Sequence, residues 1–317
     1  MNKRQLGKTS IHVSPLAFGG NVFGWTVDEK KSFDLLDAFT AAGFQLIDTA
    51  NSYSRWLPGN KGGESETIIG NWIKARRNRD EVVIATKVGS DMGQGYRDIS
   101  KKYILSAVED SLRRLQTDYI DLYQTHWDVE SIPVEETLEA HAQLVKDGKV
   151  RFIGASNISA ERLRASLEAS AKHGYPRYES LQPSYNLYDR KEFETSMQSL
   201  CLEEKLGVIN YYSLASGFLT GKYRSEADLG KSARGKGIKK YLDARGFRIL
   251  SALDEISGQY GVPQAAISLA WLTSKPGITA PIASATSIPQ LESLVEGANL
   301  SLSEESIAAL DHASSYE

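Results

Sequence analysis

Cysteine is almost missing from this chain: there is one, Cys201, among 317 residues. No disulfide can form within it, which excludes a small disulfide-stapled secreted fold and makes a reducing compartment, the cytoplasm, the expected setting. Long apolar runs are absent as well. No stretch approaches the roughly 20 residues of a membrane-spanning helix. Met1 to Lys8 has no apolar core behind its basic residues, so no secretory signal is read there. Strong charge of either sign is also lacking. Lys and Arg number 37 against 40 Asp and Glu, a net charge of -3, which argues against a nucleic-acid partner. The dinucleotide fingerprint G-x-G-x-x-G is missing too: the early cluster Phe18-Gly19-Gly20-Asn21-Val22-Phe23-Gly24 has a different spacing, and no regular helix starts inside it. Low-complexity segments, internal repeats and an evident linker are absent, so residues 1–317 read as one domain. No metal site is read.

What is present is an alternation. Short apolar runs at Ser14 to Phe18, Phe44 to Asp48, Val82 to Lys87, Ile120 to Gln124, Val150 to Gly154, Glu179 to Gln182, Val208 to Tyr211 and Thr279 to Ala283 read as eight strands. Amphipathic stretches lie between them, clearest at Glu29 to Ala42, Glu64 to Arg76, Lys101 to Leu115, Val134 to Lys146, Ala160 to Lys172 and Lys191 to Lys205. Further helices are read at Tyr241 to Tyr260, Pro263 to Thr273 and Ser303 to Ala313. Such alternation means parallel pairing through crossover helices. Eight strands without a dinucleotide fingerprint favour a (β/α)₈ TIM barrel over a doubly wound sheet. Lys3 to Leu6 and Ile11 to Val13 read as a hairpin within residues 1–13, placed to plug the barrel's bottom. Residues 213–240 form a long loop at the C-terminal rim, rich in Lys and Arg. Loops of more than about 12–15 residues in compact domains are usually functional or disordered.

The chemistry gathers at strand ends. Asp48, Lys87 and His126 each close or follow an apolar run, and Tyr53 lies five residues beyond Asp48. That rim is where such barrels build their active sites. A phenol with a reference pKa of about 10 is a weak acid. An ammonium at Lys87 would favour its phenolate, and Asp48 would keep that ammonium charged. His126 could hydrogen-bond a carbonyl oxygen. Each residue alone also fits a structural ion pair, loop packing or a satisfied core histidine; their convergence on three successive strand ends favours a site. Ser156, Asn157 and Gln182 supply donors and acceptors suited to a carboxamide, and Tyr211 a ring that can stack. Ser156 or Asn157 as a helix cap, and Tyr211 as a packed rim aromatic, remain equally open on periodicity alone.

These residues carry a resemblance along nearly the whole chain. Asp48-Thr49-Ala50-Asn51-Ser52-Tyr53, Lys87 in Ala85-Thr86-Lys87, His126, Gly154-Ala155-Ser156-Asn157, Gln182 in Leu181-Gln182-Pro183-Ser184, and Tyr211 ahead of Gly217-Phe218-Leu219-Thr220-Gly221-Lys222 together resemble the aldo-keto reductase family. The resemblance implies hydride transfer between a nicotinamide cofactor, usually NADPH, and an aldehyde or ketone. It assigns Tyr53 as proton donor, assisted by Lys87, Asp48 and His126. It implies cofactor contacts at Ser156, Asn157, Gln182, Tyr211, Gly217, Leu219 and Lys222, and at Ser284, Thr286, Ser287 and Gln290. There are departures: Ser54 stands where glycine is usual, and Tyr212-Ser213-Leu214 replaces Ser-Pro-Leu. Ile282 to Gln290 contains no lysine or arginine for a 2′-phosphate, so the expectation is NADP(H) with NAD(H) also used, the missing charge coming from the basic loop.

Trp25, Trp56, Trp127 and Tyr185 lie in loops that can reach the barrel mouth; an aromatic wall around a small carbonyl substrate and partial packing among themselves are equally open readings. The leading expectation is a cytoplasmic NADPH-dependent reductase, monomeric or weakly homo-oligomeric. Two alternatives stand beside it: a dehydrogenase acting mainly in alcohol or sugar oxidation, and a cofactor-sensing subunit that regulates a partner protein.

Overall fold

The computed structural model describes residues 3–316, apart from the side chain of Lys236. Met1 and Asn2 of the expected hairpin span, Glu317 and the Lys236 side chain lie outside the described residues. The chain opens with a two-stranded antiparallel hairpin, β1 (Arg4–Gln5) and β2 (His12–Val13). Eight parallel strands follow: β3 (Ala17–Gly19), β4 (Leu46–Asp48), β5 (Val83–Val88), β6 (Ile120–Thr125), β7 (Val150–Ser156), β8 (Tyr178–Gln182), β9 (Gly207–Val208) and β10 (Ile282–Ala283). Their spatial order is β10-β3-β4-β5-β6-β7-β8-β9. Backbone bonds from Thr279 N–H to Val208 O (2.8 Å) and Ile282 N–H to Asn210 O (2.8 Å) join the last strand to β9 and close the (β/α)₈ barrel.

Proline accounts for the strands that are shorter than the apolar runs. Pro15, Pro183 and Pro281 lack an N–H and interrupt the regular ladder. Pairing still continues around them: Ala17 N–H reaches Pro281 O at 3.0 Å and Tyr211 N–H reaches Pro183 O at 2.9 Å. The helices α1 (Glu29–Ala41), α2 (Glu64–Arg76), α3 (Lys101–Leu115), α4 (Val134–Lys146) and α5 (Ala160–His173) fall where the 3.6-residue pattern places them. Asp28, Ser100 and Ser159 cap the first, third and fifth by accepting an N–H three residues on, which satisfies one of the four orphan donors of each helix start. The expected helix from Lys191 is broken by a π-turn at Phe193–Met197 before α6 (Gln198–Glu204). Next come α7 (Ala244–Tyr260), α8 (Gln264–Ser274), α9 (Ile288–Asn299) and α10 (Glu304–Ala313). The sequence reading did not resolve α9, whose first turn contains Pro289.

Two apolar clusters follow from strand alternation. Outward side chains such as Ile47, Ile84, Tyr123, Ile153 and Leu181 pack under the helices. Inward ones, Ala17, Leu46, Ala85, Leu122, Ile209 and Ile282, fill the barrel, closed below by Leu6, Ile11 and Val13 of the hairpin segment. Two residues further along the same strands the inward positions become Asp48, Lys87, Gln124 and Gln182, following Leu46, Ala85, Leu122 and Ser180. The barrel is therefore greasy at its base and ionisable at its mouth.

His141 of α4 is fully buried, 3.2 Å from Thr125 Oγ1 and edge-on to Tyr123 and Tyr178. Burial pushes its pKa from the usual 6.5 down to about 4. As pH falls below 6.5 the unfolded chain takes up a proton that the folded chain refuses, so stability falls until about pH 4. The expected contribution is on the order of 3 kcal/mol across that window. Urea unfolding of the parent and His141→Phe between pH 7 and 4 checks this. The variant should show a shallower acid loss; parallel curves would contradict it.

Candidate active site

The ends of β4, β5, β6 and β8 bring Asp48, Lys87, His126 and Gln182 to one floor, and the turn after β4 returns Tyr53 over it. The Lys87 ammonium is fully buried and spends its three donors on three acceptors: Asp48 Oδ2 at 2.7 Å, Thr49 O at 2.7 Å and the Tyr53 hydroxyl at 2.8 Å. The Tyr53 hydroxyl donates to Asp48 Oδ2 at 3.2 Å. The other carboxylate oxygen, Oδ1, accepts from Gln182 Nε2 at 2.9 Å and Gln124 Nε2 at 3.5 Å. A carboxylate buried this deeply is tolerated because its charge is paired and its lone pairs are filled.

The electrostatic outcome corrects one expectation. Lys87 does lie against the phenol, but burial first, and then the Asp48 charge, hold the Tyr53 proton well above the usual tyrosine range. Tyr53 is therefore a neutral phenol at rest, not an acidified one. Burial lowers the Lys87 pKa, opposed by Asp48. Burial also pushes His126 well below its usual range, with the cations of Lys87 and Arg97 adding to the effect. His126 is neutral near pH 7, and its Nδ1 lies 2.9 Å from Ser90 Oγ.

Around this floor lies a cleft of about 1130 Å³. That exceeds the about 300–1,000 Å³ of an ordinary small-molecule pocket and leaves room for an extended ligand plus a small one. Its lining includes Asp48, Tyr53, His126, Ser156, Asn157, Gln182, Tyr211, Gly217, Lys222, Ser284, Thr286 and Gln290. The rim residues are held in a hydrogen-bonded chain: Tyr211 donates to Asn157 Oδ1 at 2.8 Å, Asn157 Nδ2 to the backbone His126 O at 2.8 Å, and Ser156 Oγ to the backbone Gln182 O at 2.8 Å. At the opposite end Ser284 Oγ meets Asn21 Oδ1 at 2.7 Å, and Gln290 Oε1 accepts from Thr286 N at 2.9 Å. The first turn of α9 begins there. Ser287 makes no side-chain cap bond to it, which leaves helix N–H groups and the positive helix end for an anion.

Several expected positions fall elsewhere. Tyr185 is fully buried away from the cleft, against Phe193 and Trp271, with its hydroxyl donating to Glu194 at 2.7 Å; the proline at 183 and the turn after it carry the ring outward. Leu219 is fully buried in the core, and its N–H is taken by Leu214 O. Ser287 stands beside the cleft without lining it. Trp56 and Trp127 do line it, whereas Trp25 stands behind, edge-on to Trp56 at 5.4 Å. The basic loop is also less free than expected. Arg224 pairs with Asp254, Lys231 with Asp228, Lys239 with Glu226 and Lys240 with Asp189. Among its described residues, Lys222 and Arg234 are the cations that line the cleft.

Sequence reasoning missed Gln124, Ser90, Asn21 and Lys31, which also lines the cleft. Gln124 had a signal, since it is the penultimate residue of β6 as Lys87 is of β5. Ser90, Asn21 and Lys31 lie in loops or on a helix face and had none.

The family model described as "Aldo/keto reductase family" matches residues 15–315. Similar proteins include "Aldo-keto reductase YhdN" of Bacillus subtilis, 35% identical over 93% of this chain and 88% of its own length. "Protein tas" of Escherichia coli is 30% identical over 98% of this chain and 97% of its own. "Norsolorinic acid reductase B" of Aspergillus parasiticus is 30% identical over 99% and 84%.

The buried pair yields a stability prediction. Asp48→Asn leaves the ammonium uncompensated and should cost about 3–5 kcal/mol, while Asp48→Asn with Lys87→Met should recover part of that loss. Urea unfolding measures both. A double variant less stable than Asp48→Asn would contradict the assignment of Lys87 as a charge that depends on Asp48.

Proposed function

The chain belongs to the aldo/keto reductase family, hence to the oxidoreductases of carbonyl compounds, and from that premise we propose an NADPH-preferring reductase of aldehydes and ketones in which Tyr53 donates the proton. The observation that carries the reading is the three-way contact of Lys87 Nζ with Asp48, Thr49 and the Tyr53 hydroxyl.

A reduced nicotinamide, when bound, supplies the hydride. The cleft residues fit such a cofactor: side-chain amides and an aromatic ring at one end, an uncapped helix start and small hydroxyls at the other. Asn157, Gln182 and Tyr211 would hold the nicotinamide end; Lys222, Ser284, Thr286 and Gln290 would hold the phosphates and adenosine. Gly217, with φ of +100°, keeps a backbone position beside Lys222 that a side chain would strain. Ser284 to Gln290 contains no cation, and of the cations that line the cleft Lys31 and Lys222 are the ones we assign to a 2′-phosphate.

The chain's own residues manage the proton. His126, kept neutral, has Nδ1 next to Ser90 Oγ; with Ser90 donating there, Nε2 carries the proton and can donate to a carbonyl oxygen. That bond orients the carbonyl beside the Tyr53 hydroxyl. Tyr53 holds its proton at rest and releases it only to an oxygen gaining negative charge. The Lys87 N–H at 2.8 Å then stabilises the phenolate left behind. Asp48 keeps Lys87 charged in a site whose burial opposes that charge. This machinery also serves alcohol oxidation, in which the phenolate takes a proton. A purely cofactor-sensing role would need neither the Lys87–Tyr53 contact nor the neutral histidine.

Two outcomes are expected. Tyr53→Phe should fold, bind NADPH and lose about 10²–10⁴-fold in single-turnover reduction of an aldehyde; a parent-like rate would require another donor. In the parent, kcat/KM with NADPH should exceed that with NADH by about tenfold at low salt, narrowing as salt screens Lys31 and Lys222. Equal use of both cofactors at low salt would remove the 2′-phosphate role of those lysines.

A further inference from the structure

The rim loop contributes to the cleft a guanidinium that the proton relay does not use. Arg234 lines the cleft and lies over the Trp25 ring, 5.3 Å from its centroid. Its Nη2 is buried, and among the described residues nothing accepts a hydrogen bond from it. Its neighbours on the loop behave differently: Arg224, Lys231, Lys239 and Lys240 each reach a carboxylate. Among the described residues no carboxylate forms an ion pair with Arg234. The groups whose electrostatics it feels are the phenols of Tyr53, Tyr212 and Tyr223. A buried guanidinium donor without an acceptor is costly and contributes nothing to folding. An acceptor delivered by a ligand removes that cost.

Its position favours the substrate over the cofactor as the source of that acceptor. Trp25, which Arg234 covers, packs on Trp56 at 5.4 Å, and Trp56 packs on Tyr53 at 6.2 Å. Arg234 thus belongs to the aromatic group around the proton donor, whereas the hydroxyls of Ser284 and Thr286 lie at the α9 end of the cleft. A planar guanidinium takes a carboxylate by two parallel N–H donors, and the adjoining indoles suit a flat apolar body. Resting on the reading of Tyr53 as proton donor, we propose that Arg234 selects carbonyl substrates that also carry a carboxylate, with aromatic aldehyde-acids as the best-fitting class.

The test separates this from the reductase reading. Tryptophan fluorescence follows the binding of benzoate and of benzamide to the parent and to Arg234→Gln, neither probe being able to react. Benzoate should bind the parent at least about tenfold more tightly than benzamide, and Arg234→Gln should abolish that advantage. Arg234→Lys, which keeps the charge but not the fork, should retain part of it. In turnover with NADPH, Arg234→Gln should raise KM for para-carboxybenzaldehyde by about 10–100-fold, and for its methyl ester by far less, with kcat little affected. NADPH affinity, titrated separately, should move little. A parent that does not distinguish benzoate from benzamide would overturn the proposal. So would Arg234→Gln weakening NADPH as much as benzoate, which would assign the guanidinium to the cofactor phosphates. If the parent reduces neither aldehyde, the reductase reading fails, and the benzoate comparison still decides the role of Arg234.

Discussion

The ion pair between Lys87 and Asp48 sits at 0% and 1% side-chain exposure, and much of the barrel mouth is arranged around keeping it whole. A bare ammonium or carboxylate at that depth would neutralise itself or unfold its surroundings. Thr49 O, Tyr53, Gln124 and Gln182 fill the remaining donor and acceptor positions. Filling them ties four strands and one loop to a single small volume. The hairpin and the apolar lower layers of the barrel pack beneath it. What is assembled is a phenol held neutral by its environment, with a positive charge positioned to stabilise its anion.

The same arrangement explains the neutral histidine. A charged imidazole near Lys87 and Arg97 would add a further cation to a buried site, and burial already opposes it. Kept neutral, His126 can hydrogen-bond an uncharged carbonyl without drawing in a counter-ion. The cleft is thus divided by charge. Its floor is a closed, neutral set of hydrogen bonds, while Lys31, Arg55, Lys222 and Arg234 bring cations to its lining.

Much of this was legible in the sequence, for definite reasons. Strand alternation and the strand-end positions of Asp48, Lys87 and His126 fix both the barrel and the floor, because inward side chains recur every second residue. The boundaries of α3 and α4 were legible because polar and apolar residues alternate at helical spacing. Prolines at 15, 183 and 281 shortened ladders that hydrophobicity alone would extend. Loop aromatics were not legible: Trp56 and Trp127 reach the cleft and Tyr185 does not, since a loop's direction depends on tertiary packing. The sign of the Tyr53 shift was misread for a related reason. The sequence suggests an ammonium next to a phenol, but only the assembled site shows how far burial and Asp48 outweigh it.

The central claim is that Asp48 and burial hold the Tyr53 proton while Lys87 stabilises the anion left behind. The most direct measurement is the pH profile of the single-turnover reduction rate in the parent and in Asp48→Asn. The parent rate should be flat from about pH 6 to 9, because Tyr53 remains a phenol and His126 remains neutral throughout that range. Removing the carboxylate's charge should lower the pH at which the rate begins to fall. A parent profile that breaks near neutrality, or an Asp48→Asn profile displaced upward, would contradict the account.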